Sequence, residues 1–87
     1  MRNLEFKPGA FDDLTYWVRK DRKKAMPILQ LLDSVRRTPF RGIGKPEPLK
    51  HNLAKHWSRR IDEKHRVVYQ VKKDKIVVVS CRFHYHK

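Results

Sequence analysis

The sequence predicts an α+β fold, a twisted antiparallel β-sheet with a two-helix hairpin packed on one face, in the order β-α-α-β-β-β. Three observations carry this. In the front half, apolar residues recur at the three- and four-residue spacing of amphipathic helices. In the back half, runs rich in Val, Ile and Tyr alternate between two faces. Gly and Pro cluster between the halves, across residues 40–55. With 87 residues, the chain makes one domain, 1–87.

Residues 2–7 read as a short strand with Leu4 and Phe6 on one face, stopped by Pro8-Gly9. A helix is expected over about 10–23, with Phe11, Leu14 and Val18 as its apolar stripe. Asp12 and Asp13 in its first turn, and Arg22, Lys23 and Lys24 at its end, suit the helix dipole. A second helix is expected over about 25–37. Its buried stripe is Ile28, Leu31, Leu32 and Val35, with Pro27 tolerated in the first turn. So short a link makes the two an antiparallel hairpin. Thr38-Pro39 ends the second helix. The segment 40–55 then reads as a long loop, and a long loop in a small domain points to function.

Three strands follow, at about 56–61, 66–72 and 76–83. Val67, Tyr69 and Val71 share one face of the second. Val77, Val79, Cys81 and Phe83 share one face of the third. Both odd-numbered faces are assigned to the helices, which leaves Arg66, Arg82 and His84 on the open face. Residues opposite one another in an antiparallel pair share a face. A three-residue loop, 62–64, satisfies this and sets Arg60 opposite Arg66. Trp57, Arg59 and Ile61 then face the helices. The same parity asks for an odd loop around 73–75. Unpaired guanidiniums crowd the resulting open face unless an anion sits among them.

The charge agrees. There are 22 Lys+Arg against 9 Asp+Glu, a formal net charge of +13. Such an excess favours a polyanionic partner, nucleic acid first and an acidic protein second. Leu, Ile, Val and Phe number 23 of 87, above the roughly 20% below which chains stay disordered. A chain this short buries only roughly 60% of its unfolded surface, so an enclosed cofactor pocket is excluded and no cofactor is expected. One cysteine, Cys81, rules out an internal disulfide and suits a reducing compartment. No apolar run nears the ~20 residues that span a membrane, and the first residues lack the apolar segment of a signal peptide. A cytoplasmic location without membrane attachment is therefore expected.

Few residues are placed for chemistry. Seven of the nine acids read as helix-cap, helix-surface or turn residues. Asp12 and Asp13 are adjacent on a helix and point about 100° apart, so they make no metal pair. Neither the histidines nor Cys81 has zinc-site spacing, and no metal is expected. Cys81 falls on the core face, where a thiol is inert. Glu47 stands alone in GIGKPEPLKHN, flanked by Lys45, Lys50 and His51. Its plainer reading is a solvated loop acid, and that of His84 is a surface histidine. One acid, one histidine and several guanidiniums nevertheless suffice for metal-free RNA cleavage: a base for the 2′-OH, cations for the phosphorane and an acid for the 5′-oxygen.

The residues also carry a resemblance. RRTPFRGIGKPEPLKHNLAKHWSRRIDEKHRVVYQV at 36–71, CRFHY at 81–85 and FDDLTYW at 11–17 resemble the YoeB-type toxins of the RelE/ParE superfamily, over nearly the whole chain. The resemblance implies a toxin of a type II toxin–antitoxin system. Its activity would be ribosome-dependent endonucleolytic cleavage of mRNA in the A site, blocking translation. It implies Glu47 as general base, Arg66 as the transition-state cation, His84 as general acid and Tyr85 as its active-site neighbour. Lys50 and Arg60 would bind phosphate, with Lys45, His51 and Arg82 as further RNA contacts. A Phd/YefM-type antitoxin is the implied partner, beside ribosomal RNA and, in many relatives, a second copy of the toxin. Phe83 stands where a tyrosine is also at home, and His86-Lys87 extends the usual terminus. The rival readings are a non-catalytic ParE-like inhibitor and a plain RNA- or ribosome-binding module. A field of +13 favours ionised acids and neutral histidines, which works against a base and a proton donor alike, so the isolated enzyme is expected to be poorly poised until the phosphates of substrate or ribosome complete the site.

Overall fold

A computed structural model describes residues 1–83. Strand β1 (Asn3–Phe6) leads into helix α1 (Pro8–Lys20), and α2 (Arg22–Arg37) follows after Asp21 alone. The rest is β2 (Glu47–Pro48), a single 3-10 turn (His51–Leu53), β3 (His56–Arg60), β4 (Arg66–Val71) and β5 (Lys75–Ser80). The sheet order is β1-β5-β4-β3-β2. Strands β2 to β5 pair antiparallel, while β1 runs parallel to β5. The α+β class stands, but the sheet is mixed, because the chain passes through both helices before β5 returns beside β1. The segment expected as pure loop also supplies the two-residue edge strand β2. No helix of the described residues is long and apolar enough to cross a membrane.

Helix α2 buries Ile28, Leu31, Leu32 and Val35, the stripe its spacing predicts. It starts a turn earlier than expected, so Pro27 lies inside it and leaves the Lys23 carbonyl without its i+4 donor. Helix α1 corrects the sequence reading. Ala10 and Trp17 are its buried residues, with Leu14 packed beside them, whereas Phe11 and Val18 are 60% and 44% exposed. The Trp17 indole decides this rotation. It buries the largest apolar surface on the helix, and its N–H reaches the Cys81 carbonyl at 2.7 Å.

The helices cover Val67, Tyr69, Ile76, Val78 and Cys81. On β3 and β4 the expected parity holds. Arg60 pairs with Arg66, and Ile61 N–H bonds the His65 carbonyl at 2.9 Å, closing the three-residue loop. On β5 the expected face is wrong. Val71 pairs with Ile76, and Lys72 N–H bonds the Lys75 carbonyl at 2.8 Å. The loop is therefore even, and Ile76 and Val78, not Val77 and Val79, face the helices. A bulge then intervenes: Tyr69 pairs with Val78, but Val68 pairs with Ser80. The extra residue restores the parity, so Cys81 reaches the core as expected, by two compensating shifts.

Candidate active site

Local chemistry first fixes the long loop. Arg59 is completely buried, on the helix-facing side of β3. Its Nε donates to the Tyr69 hydroxyl at 3.2 Å. Its Nη1 donates to Ser34 Oγ at 2.7 Å and to the Ile43 carbonyl at 3.1 Å. Its Nη2 donates to the carbonyls of Thr38 and Arg41. The Tyr69 hydroxyl in turn donates to the Pro39 carbonyl at 2.6 Å. Burial raises the Tyr69 pKa, against the lowering effect of Arg59, so the phenol keeps its proton. One guanidinium thus ties residues 38–43 to the sheet. Gly44 follows at φ +82°, with Leu31 Cδ2 only 2.5 Å from where a Cβ would stand. Its carbonyl takes the Arg60 N–H at 2.6 Å, which delivers the chain to the sheet edge.

Glu47 emerges there. It pairs with Ser58 on β3, and Ser58 lies between Trp57 and Arg59 on the face away from the helices. Glu47 and Arg60 are exposed on that face, one strand apart and two residues along. Strand geometry puts their Cα atoms on the order of 8 Å apart, and Glu47 and Arg66 on the order of 12 Å. Side chains of this length can meet around one phosphodiester. The centre of the face is not open as expected: Leu49, Ser58, Val68 and Val77 are all buried there or beside it. The charged groups form a rim around a closed floor.

Arg66 is no free surface cation. It is 7% exposed. Its Nη1 donates to the carbonyls of Asp62 at 2.8 Å, Glu63 at 3.3 Å and His65 at 3.1 Å, leaving Nη2 and Nε outside that set. Asp62 shapes the loop that supplies those carbonyls. Its Oδ1 accepts the N–H groups of Lys64 and His65 at 2.8 and 2.7 Å, and its Oδ2 pairs with Lys24 at 2.8 Å. Burial works against the carboxylate, yet Lys24 and the His65 and Lys64 N–H groups outweigh it and hold Asp62 at about 2. A depressed carboxylate pKa stabilises the fold above the unfolded value near 3.9, and that contribution is lost as pH falls toward 2. Asp62→Asn is therefore expected to cost about 2 kcal/mol at pH 7 in urea unfolding. The gap from the parent should begin to narrow below about pH 4 and close only near pH 2.

Lys45, Lys50 and His51 are exposed around Glu47. Lys45 and His51 hold positive φ, 53° and 59°, in the bends that bring β2 in and lead it out. Arg82 departs from its expected place. The chain leaves β5 after Ser80 because α1 captures Cys81: Asp13 Oδ2 accepts its N–H at 3.0 Å and Trp17 binds its carbonyl. Arg82 follows toward α1, its guanidinium 3.4 Å from the Tyr16 ring centroid and 4.4 Å from that of Phe83. Burial, aided by the Asp13 charge, pushes the Cys81 thiol up to about 12, so it offers no thiolate at neutral pH. Burial likewise raises the Asp13 pKa, despite the Cys81 N–H and Arg82. His84 and Tyr85 lie outside the described residues. Sequence reasoning gave no role to Arg59 or His65. A charged residue assigned to a core face was the available signal for Arg59. Nothing in the sequence marked His65.

A solved YoeB/ParE toxin from Agrobacterium tumefaciens superposes with a TM-score of 0.90 at 42% identity, covering 95% of this chain and 99% of that one. A YoeB–YefM complex from Staphylococcus aureus gives a TM-score of 0.87 at 43% identity, covering 98% of this chain and 99% of that one; a YoeB dimer from the same organism is also similar. Likeness at this identity and coverage makes the chain a toxin of the RelE/ParE superfamily. The Toxin YoeB of Escherichia coli K12 is 51% identical over 76 residues, which are 87% of this chain and 90% of that protein. The chain belongs to the YoeB-like toxins of bacterial type II toxin–antitoxin systems, whose pattern it matches over residues 6–85.

Proposed function

We infer that this toxin is a ribosome-dependent endoribonuclease that cuts mRNA in the A site. The observation that supports this best is Glu47 on the same sheet face as the opposed pair Arg60 and Arg66. In this reading Glu47 takes the proton from a ribose 2′-OH. The 2′-oxygen attacks the adjacent phosphorus, and the P–O5′ bond breaks. Arg66 and Arg60, with Lys50, offset the added charge on the phosphorane. His84 gives its proton to the departing 5′-oxygen, with Tyr85 beside it in sequence. The products are a 2′,3′-cyclic phosphate and a 5′-hydroxyl, and the protons balance without a metal. Lys45 and His51 grip the RNA backbone on the loop side. Arg82, stacked on Tyr16, drops out of the phosphate set and serves the C-terminal segment.

The toxin's partner is an antitoxin of the YefM type, as in the S. aureus complex, with an acidic segment over the basic rim. A homodimer like that of S. aureus is the second assembly in this reading. The test is mapping of mRNA 5′-ends on programmed ribosomes with and without the protein. Cuts confined to the A-site codon are expected, and faster on ribosomes than on free mRNA. Ribosome binding without cuts would favour a binding module instead, and equal rates on free and ribosomal mRNA would remove the ribosome dependence.

A further inference from the structure

The last described residues are held in an unusual way. Phe83 has a φ of +62°, which is uncommon for a side chain with a Cβ and needs external support. Two bonds give it. Arg66 N–H donates to the Phe83 carbonyl at 3.1 Å. Phe83 N–H donates to His65 Nδ1 at 2.7 Å. The His65 ring is itself fixed, edge-on to Trp17 with centroids 4.8 Å apart, while Trp17 holds the Cys81 carbonyl. The backbone of residues 81–83 is thus clamped between α1 and the start of β4.

A backbone N–H only donates, so Nδ1 must present its lone pair. The imidazole is therefore neutral, with its proton on Nε2. A proton on Nδ1 would set two donors against each other and break the bond.

We propose that His65 is a positioning residue, a neutral-imidazole latch that fixes Phe83 and so the chain leading into His84, and that protonating it releases this segment. The proposal rests on the reading of His84 as general acid. It adds an opposite demand on a second histidine: His65 must be neutral while His84 carries a proton. The charged groups facing His65 suit a neutral ring. From the β3–β4 loop come Asp62, which favours the imidazolium, and Lys64, which opposes it; α2 contributes Lys24 and the C-terminal segment Arg82, both opposing. From α1 the contact is the uncharged Trp17, with Asp13 engaged on Cys81. Burial is the largest influence and also lowers the His65 pKa, so the latch is closed at neutral pH and opens on the acid side.

Two measurements test this. In the first, the isolated chain is titrated by NMR from pH 8 to 5. Phe83 amide protection should be lost in step with His65 protonation. Protection that persists after His65 is charged would overturn the latch, whatever the enzyme does. In the second, His65→Asn and His65→Phe are compared with the parent in mRNA cleavage on ribosomes across the same pH range. The Asn carbonyl can accept near the Nδ1 position without titrating, so His65→Asn should keep at least a third of the neutral-pH rate and lose the acid limb due to His65. The Phe variant keeps a ring against Trp17 but has no acceptor, so its rate should fall at least tenfold at neutral pH, and the gap from the parent should close on the acid side, where the parental latch opens too. Its melting transition shows whether it is folded. A folded His65→Phe with the parental rate and pH profile would also overturn the proposal. If the parent itself fails to cleave, the endonuclease reading falls, and the NMR titration still decides the latch.

Discussion

Glu47→Ala is expected to lower single-turnover cleavage of ribosome-bound mRNA by at least ~100-fold, the usual lower bound for a removed general base. Ribosome affinity should stay within about twofold, since contact with the phosphates is assigned to the cations. Glu47→Gln should fall as far, because the isosteric amide has no lone pair basic enough to take the 2′-OH proton. The substitution is clean. Glu47 is exposed on a two-residue edge strand, so its removal should change stability by no more than about 0.5 kcal/mol. Arg66 offers no such test. Its Nη1 anchors three loop carbonyls, and truncating it would disturb the loop as well as the proposed phosphate contact. Unchanged cleavage by Glu47→Ala would remove the acid from the reaction. A parallel loss of affinity would make it a binding residue.

The elements legible in the sequence are those governed by strong local periodicity. The α2 stripe and the Arg60–Arg66 register follow from spacing and parity. The α1 face is not legible in this way, because Phe11 and Val18 have the right spacing and Ala10 and Trp17 have it too. Trp17 prevails because it has both the larger area and a partner for its N–H, and that partner is 64 residues away. Nor is the inward face of β5 legible, because alternation gives no sign of an even turn followed by a bulge. In the site, the loop acid Glu47 stood out by composition. The network of Arg59 did not, because its acceptors are backbone carbonyls that any sequence carries. The same holds for His65, whose partner is a backbone N–H.

Arg59 and Arg60 are neighbours on β3, and they should behave as opposites. Arg59→Met keeps the volume but strips donors from the carbonyls of Thr38, Arg41 and Ile43, and from Ser34 and Tyr69. A buried polar group left without its partner costs about 1–3 kcal/mol, so a loss of at least ~3–5 kcal/mol is expected after relaxation and water entry. For a chain of this length total stability is of the order of 4–13 kcal/mol, and the melting temperature should fall by roughly 15–30 °C. Arg59→Lys should recover only part, because a compact ammonium has three donors and cannot span the planar fork. Arg60→Met, on the exposed rim, should shift stability by less than about 0.5 kcal/mol and weaken RNA binding instead. Urea unfolding of the three variants beside the parent makes the comparison. If Arg59→Lys matched the parent, one positive charge would be enough to hold the loop. If it fell most of the way to Arg59→Met, the fork geometry is what carries residues 38–44, and with them Glu47, to the edge of the sheet.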